Sequence, residues 1–368
     1  MSFPEGAGQV PEAPAARYRV AVLGASSLLG KELLAVLRER RFPVSRLVEI
    51  EASRPGNGDP ELPILDLDAD PAEKFLNPEV RGDELDFAFI AAPPHPLPAF
   101  LRPESARPGV VIDLEASLAE SGAVTPRIAG AAEPAWQELA SAEGLRPVIA
   151  SAHPVTMALS LILLRLATRF ELRSAVAHVF NPASSLGPRA IEELQKQTLN
   201  LFSFQKVPQS VFGAQLAFNT LPRLAGPNSQ TLPGLENRVR GELSRYLAGR
   251  TPAPALRFIQ SPVFYSVALS LYVETSALAA PAAVQQALAG AEVRVRRSAD
   301  HAPSQVEVTG SHQILIDSIV ADAGQENGLW IWAAIDNLRL AAVQAVQIAE
   351  EFARRSGAPA GERKAHPS

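Results

Sequence analysis

An α/β chain, with a doubly wound parallel sheet followed by a second, α+β domain, is what the sequence predicts, and three observations carry the prediction. The 368 residues exceed what one ordinary core accommodates, so two domains are expected. From Tyr18 an apolar run passes through a glycine turn into an amphipathic stretch, and strands then alternate with helices as far as Ala150. Beyond Met157 the pattern becomes strand-rich with interspersed helices, as in a sheet covered on one side. The expected divisions are a disordered leader over residues 1–16, a parallel-sheet domain over 17–150, an α+β domain over 151–335, a C-terminal helix over 336–355 and a disordered tail over 356–368.

The first expected strand, Tyr18 to Leu23, runs into Gly24-Ala25-Ser26-Ser27-Leu28-Leu29-Gly30, and Lys31 to Arg40 then shows helical apolar spacing at Leu33, Leu34 and Leu37. Strand, glycine turn and helix in this order open a Rossmann-type NAD(P)-binding unit, in which loop amides and the helix N-terminus face a pyrophosphate. Gly24, Ser26, Ser27, Leu28, Leu29 and Gly30 are therefore candidate cofactor contacts. Only the outer two glycines of the fingerprint are present, and Ser27 stands where a middle glycine would let the backbone approach phosphate. A scaffold that binds nucleotide weakly or not at all is an equal reading of the same residues.

Leu47 to Ile50 reads as the second strand. After it Glu51 would favour a ribose 2′-hydroxyl, whereas Ser53 and Arg54 would favour a 2′-phosphate. The sequence reading leans to NADP through Arg54, with Glu51 turned away, against a plain reading as solvated loop charges. Further strands are expected at Leu62 to Leu67, Leu85 to Ala92, Gly109 to Leu114 and Pro147 to Ala150. In the second half, strands are expected at Ser174 to Phe180, Ala255 to Gln260, Val267 to Val273, Val293 to Arg297, Gln313 to Val320 and Trp330 to Ile335. Helices are expected at Arg189 to Leu201, Asn237 to Leu247, Pro281 to Leu288 and Leu338 to Arg354.

Composition excludes several chemistries. The chain has no Cys, which removes disulfides, thiolate nucleophiles and thiolate metal sites. Its six His (His95, His153, His178, His301, His312, His366) show no pair at helical ligand spacing, so no metal is expected. A net charge of −5 without a basic stripe argues against nucleic acid and acidic membranes. The apolar run from Met157 to Leu164 is too short to span a bilayer, and no signal sequence is recognisable, so a cytoplasmic location is expected.

Val148-Ile149-Ala150-Ser151-Ala152-His153-Pro154-Val155-Thr156-Met157 is a strand-turn-helix junction of the kind that holds a nucleophile over a helix N-terminus. Its tip residue is Pro154, which has no nucleophilic atom. His153 is a candidate proton donor, read against a structural His beside a turn. Ser151 and Thr156 would each need a base within hydrogen-bond reach to act as nucleophiles.

An ordered set of segments resembles the aspartate-semialdehyde dehydrogenases, and in particular their Usg-like branch. The set comprises Val20 to Gly30, Arg41-Phe42-Pro43-Val44, Phe212 to Asn219, Ser261-Pro262-Val263-Phe264-Tyr265, Trp332 to Asn337 and Ala345 to Glu350. The resemblance implies a dimerising α+β domain like the C-terminal domain of glyceraldehyde-3-phosphate dehydrogenase, and a last helix that returns to the first domain. It also implies reductive dephosphorylation of aspartyl phosphate in amino-acid biosynthesis, through a thioacyl enzyme on a Cys, with a His as acid/base and hydride from NADPH. On the same resemblance the nucleophile falls on Pro154, the acid/base on Val267 between Ser266 and Ala268, and the assisting Gln on Asn181. The phosphate-gripping segment falls on Asp113 to Ser117 with Ala119, and an Asn near the last helix becomes Gln344.

The expectation is a pseudoenzyme: a catalytically inactive or strongly altered homologue that retains a homodimeric scaffold, with NADP binding weak or absent. Two alternatives stand beside it. One is an NAD(P)-dependent oxidoreductase with non-Cys chemistry in which His153 donates a proton, and the other is an interaction subunit that pairs with an active paralogue through the region of Phe212 to Asn219.

Overall fold

A computed structural model describes residues 17–51, 81–93, 98, 101, 108–118, 124–127, 148–226, 231–296 and 304–356. The expected leader, the tail beyond Ser356, the strand at Leu62 to Leu67, and Ser53, Arg54 and Ala119 lie outside the described residues.

Parallel strands β1 (Tyr18–Leu23), β2 (Val44–Ile50), β3 (Phe87–Ile90), β4 (Val110–Asp113), β5 (Val124–Arg127) and β6 (Val148–Ser151) form one sheet in the order β2-β1-β3-β4-β6-β5. The order reverses between β1 and β3, so the crevice beyond their C-terminal ends is the place where such a sheet opens to a ligand. β5 was not legible in the sequence, because Pro126 interrupts a short run; β5 lies at the sheet edge, where a residue without an amide hydrogen is tolerated. Helix α1 (Leu28–Glu39) packs Leu33, Val36 and Leu37 against β1, β3 and β4. It starts ahead of the expected Lys31 because Ser27 caps it, the Ser27 hydroxyl accepting from the Gly30 amide at 2.9 Å.

The second sheet has the order β10-β11-β12-β9-β7-β8, from β7 (Leu172–Asn181), β8 (Ala255–Gln260), β9 (Val267–Thr275), β10 (Val293–Val295), β11 (Ile314–Ala321) and β12 (Gly328–Ile335). It is mixed: β10–β11 and β7–β8 pair parallel and the rest antiparallel. Helices α2 (Pro154–Ala167), α4 (Leu232–Leu247) and α5 (Pro281–Leu288) cover one face, burying Leu159, Ile162, Val239 and Leu243 against Phe258, Leu269 and Ile331. Complete burial of each such side chain contributes about 2 kcal/mol. The opposite face carries half-buried residues from alternating positions, among them His178, Phe180, Tyr272 and Trp332, with ring pairs Phe180–Trp332 at 5.7 Å and Tyr272–Trp330 at 5.1 Å.

Two further helices differ in role. α3 (Pro188–Phe202) lies beside the second sheet, and α6 (Asn337–Ser356) follows β12 directly yet packs Ala342, Ala345, Val346 and Ala349 into the first sheet's core. α4 begins at Leu232 where the sequence suggested Asn237. Thr231 accepts from the Gly234 amide at 3.1 Å, and Pro233 suits the first turn of a helix. β10 ends at Val295, two residues short of expectation.

Candidate functional site

Gly24 closes the turn after β1 at φ +76°, and a Cβ there would lie 2.6 Å from the Ala92 Cβ. A Cβ on Gly30 would lie 2.1 Å from the Gly24 carbonyl oxygen, so this glycine is what lets α1 sit down on the turn. A cleft of about 270 Å³ opens above the switch point, lined by Ser27, Leu28 and Leu29 after β1, Ala91 to Pro93 after β3, Glu115, and Ser184 to Pro188 at the start of α3. Of the candidate cofactor contacts, Ser27, Leu28 and Leu29 line this cleft, and Gly24, Ser26 and Gly30 do not. Ser27 has a second use: its hydroxyl occupies the α1 N-terminus, satisfying a donor that a bound phosphate would otherwise meet.

Glu51 corrects the sequence reading. It does not turn away from the glycine turn. Its carboxylate accepts from the Ser26 amide at 3.3 Å and from the Ser26 hydroxyl in a short hydrogen bond. A fixed carboxylate at this corner opposes a 2′-phosphate by like charge.

The strand-turn-helix junction is present, and Pro154 is the first residue of α2. Proline is pre-organised for that position and lacks the amide that would be left over there. His153 is the N-cap: its Nδ1 accepts from the Val155 amide at 3.2 Å, which holds the ring nitrogen unprotonated. Packing away from water, and then the positive charge of Arg238, push its pKa down to about 3. His153 is therefore neutral near pH 7, a poor proton donor. The Ser151 hydroxyl is buried without a hydrogen-bond partner. Thr156 does have a carboxylate in reach, donating to Glu242 at 2.5 Å, but it is wholly buried and closed to a substrate.

Glu242 and Arg238 of α4 are the residues that the sequence did not disclose. One Glu242 oxygen accepts from the His153 amide at 2.9 Å and from Thr156, and the other accepts from Arg238 Nε at 3.0 Å. Arg238 also donates to the Glu115 carbonyl at 3.0 Å and the Ser151 carbonyl at 3.3 Å. A carboxylate and a guanidinium thus fill the space in front of α2, the carboxylate standing at the positive end of the helix. In sequence the pair is an ordinary i, i+4 Arg/Glu on an amphipathic helix.

Around this centre the remaining positions are structural in form. Val267 begins β9, 1% exposed, in the same apolar cluster as Ala152 and Val155. Asn181 ends β7 in register with Gln260, and its amide donates to the Gln260 side chain at 3.0 Å. The Asn181 carbonyl accepts from Gln260 and Ser261 in turn. Asp113 at the end of β4 is fully buried and accepts from the Glu115 and Leu118 amides and the Ser117 hydroxyl, folding its loop around itself; burial pushes its carboxyl above the usual range. Gln344 is buried within α6. Among the described residues there is no group of three or more potential metal ligands, and no helix is long and apolar enough to cross a membrane.

Comparison with known proteins places this geometry. Residues 163–340 match the model of the semialdehyde dehydrogenase dimerisation domain. An aspartate-semialdehyde dehydrogenase of Rickettsia bellii is 25% identical over 91% of this chain and 98% of its own length. A USG-1 protein homolog of Azotobacter vinelandii is 28% identical over 90% and 96%. The chain is similar to aspartate-semialdehyde dehydrogenases and to USG-1 homologues along nearly its whole length. A probable aspartate-semialdehyde dehydrogenase of Pseudomonas aeruginosa has a solved structure that superposes with a TM-score of 0.74 at 25% identity, covering 92% of this chain and 99% of the other. The Candida albicans enzyme, solved with NADP, shares the fold at a TM-score of 0.60 and 15% identity.

Proposed function

We propose that this chain is a homodimeric scaffold of the semialdehyde dehydrogenase family that does not perform the family's thioacyl chemistry. The observation that carries the reading is the joint state of the junction: a chain without Cys has Pro154 at the head of α2 and the Glu242 carboxylate on the adjoining amide and hydroxyl. A thiolate step needs a polarisable nucleophile with room to attack, and an anionic substrate needs that helix end free. Val267 in the apolar core supplies no proton where the resemblance puts the acid/base. NADP binding is weak or absent in this reading, supported by the Ser27 hydroxyl on the Gly30 amide and by Glu51 on the turn. The homodimer is supported by the match of residues 163–340 to a dimerisation domain. That match also favours a second reading, an interaction subunit that pairs with an active paralogue; co-expression that yields only homodimers would count against it.

The test incubates the purified chain with NADP, phosphate and aspartate semialdehyde, beside a Pro154→Cys variant. Neither is expected to form reduced nucleotide above a heat-killed control, the variant because the Glu242 carboxylate at the same helix end opposes a thiolate there. Turnover by the unaltered chain would overturn the reading. Turnover by the variant alone would show that only the nucleophile is missing.

A further inference from the structure

The end of α3 and the segment that follows it carry an aromatic patch that the cleft does not explain. Leu199, Phe202, Phe204 and Phe218 are 57%, 72%, 97% and 68% exposed. Phe202 and Phe218 meet edge to face at 5.8 Å. Clustered large apolar side chains mark an interaction site, where single ones do not.

The backbone beside the patch is tied down by side chains of α3. Glu193 of α3 accepts from the Ser210 hydroxyl at 2.6 Å and the Val211 amide at 2.8 Å, and Gln197 donates to the Pro208 and Ala214 carbonyls while accepting from the Leu216 and Ala217 amides. Phe212 and Leu216 are buried against Ala190 and Leu194 beneath. On this base Phe204 and Phe218 stand at φ +54° and +60°, left-handed backbone that a side chain adopts only under constraint. The fold fixes these rings outward instead of letting the chain relax and bury them.

From this geometry we infer that Phe202, Phe204 and Phe218 form a preformed aromatic contact for a second copy of this chain. The inference rests on the homodimeric reading above. Two observations select a second copy as occupant. The patch lies inside residues 163–340, the match to a dimerisation domain. It is also continuous with the second sheet, since the Leu221 and Gln260 backbones exchange hydrogen bonds at 2.9 Å and tie the segment to edge strand β8. A two-fold contact sets a surface against its own image, and an uncharged aromatic cluster is self-complementary in that arrangement.

Sedimentation velocity over a concentration series tests the inference, with the full chain beside a Phe202→Ser/Phe204→Ser/Phe218→Ser variant. The variant should keep the circular dichroism of the unaltered chain and dimerise about 100-fold more weakly, as loss of interface aromatics does. Because the chain has no Cys, a Phe204→Cys variant provides a single thiol as a second readout that does not depend on the triple variant folding. Its alkylation should be about tenfold slower at dimeric concentrations than on dilution. An unchanged dissociation constant in a folded triple variant, or equal thiol reactivity in both states, overturns the patch and leaves the homodimer standing. An unaltered chain that is monomeric throughout overturns both.

Discussion

At the residue scale, His153 gives the clearest measurable consequence. Its folded-state pKa is about 3 and its unfolded value about 6.5, so between these values the unfolded chain binds the extra proton. The contribution of neutral His153 is therefore fully present above about pH 6.5 and is lost as pH falls toward 3. A His153→Asn variant keeps an N-cap acceptor without that titration. Its urea midpoint should fall less than that of the unaltered chain between about pH 7 and pH 4, and equal falls would contradict the assignment. Residue roles were only partly legible in the sequence. The missing Cys and Pro154 could be read directly, because absence and position are sequence facts. Ser27 was read as an obstacle to phosphate when its first task is capping α1, and Glu242 was unreadable because its partners His153 and Thr156 are 89 and 86 residues away.

The segment that α3 holds shows why element-scale packing resists prediction. Phe212 to Asn219 could be recognised in the sequence only by likeness, since it has neither strand nor helix period. The structure holds it through two side chains of α3, and Gln197 alone meets four backbone groups. Gln197→Ala should destabilise the chain by about 2–4 kcal/mol, because each buried group left without a partner costs about 1–3 kcal/mol and some will find water. Hydrogen exchange should localise the loss to the amides of Leu216 and Ala217; unchanged protection there would contradict the tether. Elements with strong local signals were read well by contrast: Ala255–Gln260 and Pro281–Leu288 coincide with expectation, whereas helix starts moved wherever a cap at Ser27 or Thr231 overrode the apolar period.

For the whole molecule, α6 is one of the elements that join the two sheets. It leaves β12 of the second and lays Ala342, Ala345 and Ala349, each fully buried, against the first. At its two ends Arg339 reaches Glu32 and Glu39 of α1, and Glu350 pairs with Arg40. These partly exposed pairs set the orientation of the helix, and the small side chains are what permit the close approach. Ala345→Leu should therefore overpack the contact and cost about 1–3 kcal/mol in urea unfolding, with loss of structure in both sheets in one transition. An early, separate loss of the first sheet would show that α6 does not couple them. The Rossmann-type sheet and the mixed second sheet were both legible as a change of pattern after Met157, because strand alternation is written locally; the return of α6 to the first sheet came from likeness alone.

Glu242 has a consequence for how the free chain behaves. A cleft built to receive an anion is usually a locally frustrated region, less stable than it could be until its ligand arrives. By bringing its own carboxylate to the head of α2, this chain completes that region during folding. Small anions that would otherwise bind at this junction should therefore leave its urea midpoint unchanged, and a midpoint that rises with such an anion would contradict the filled junction.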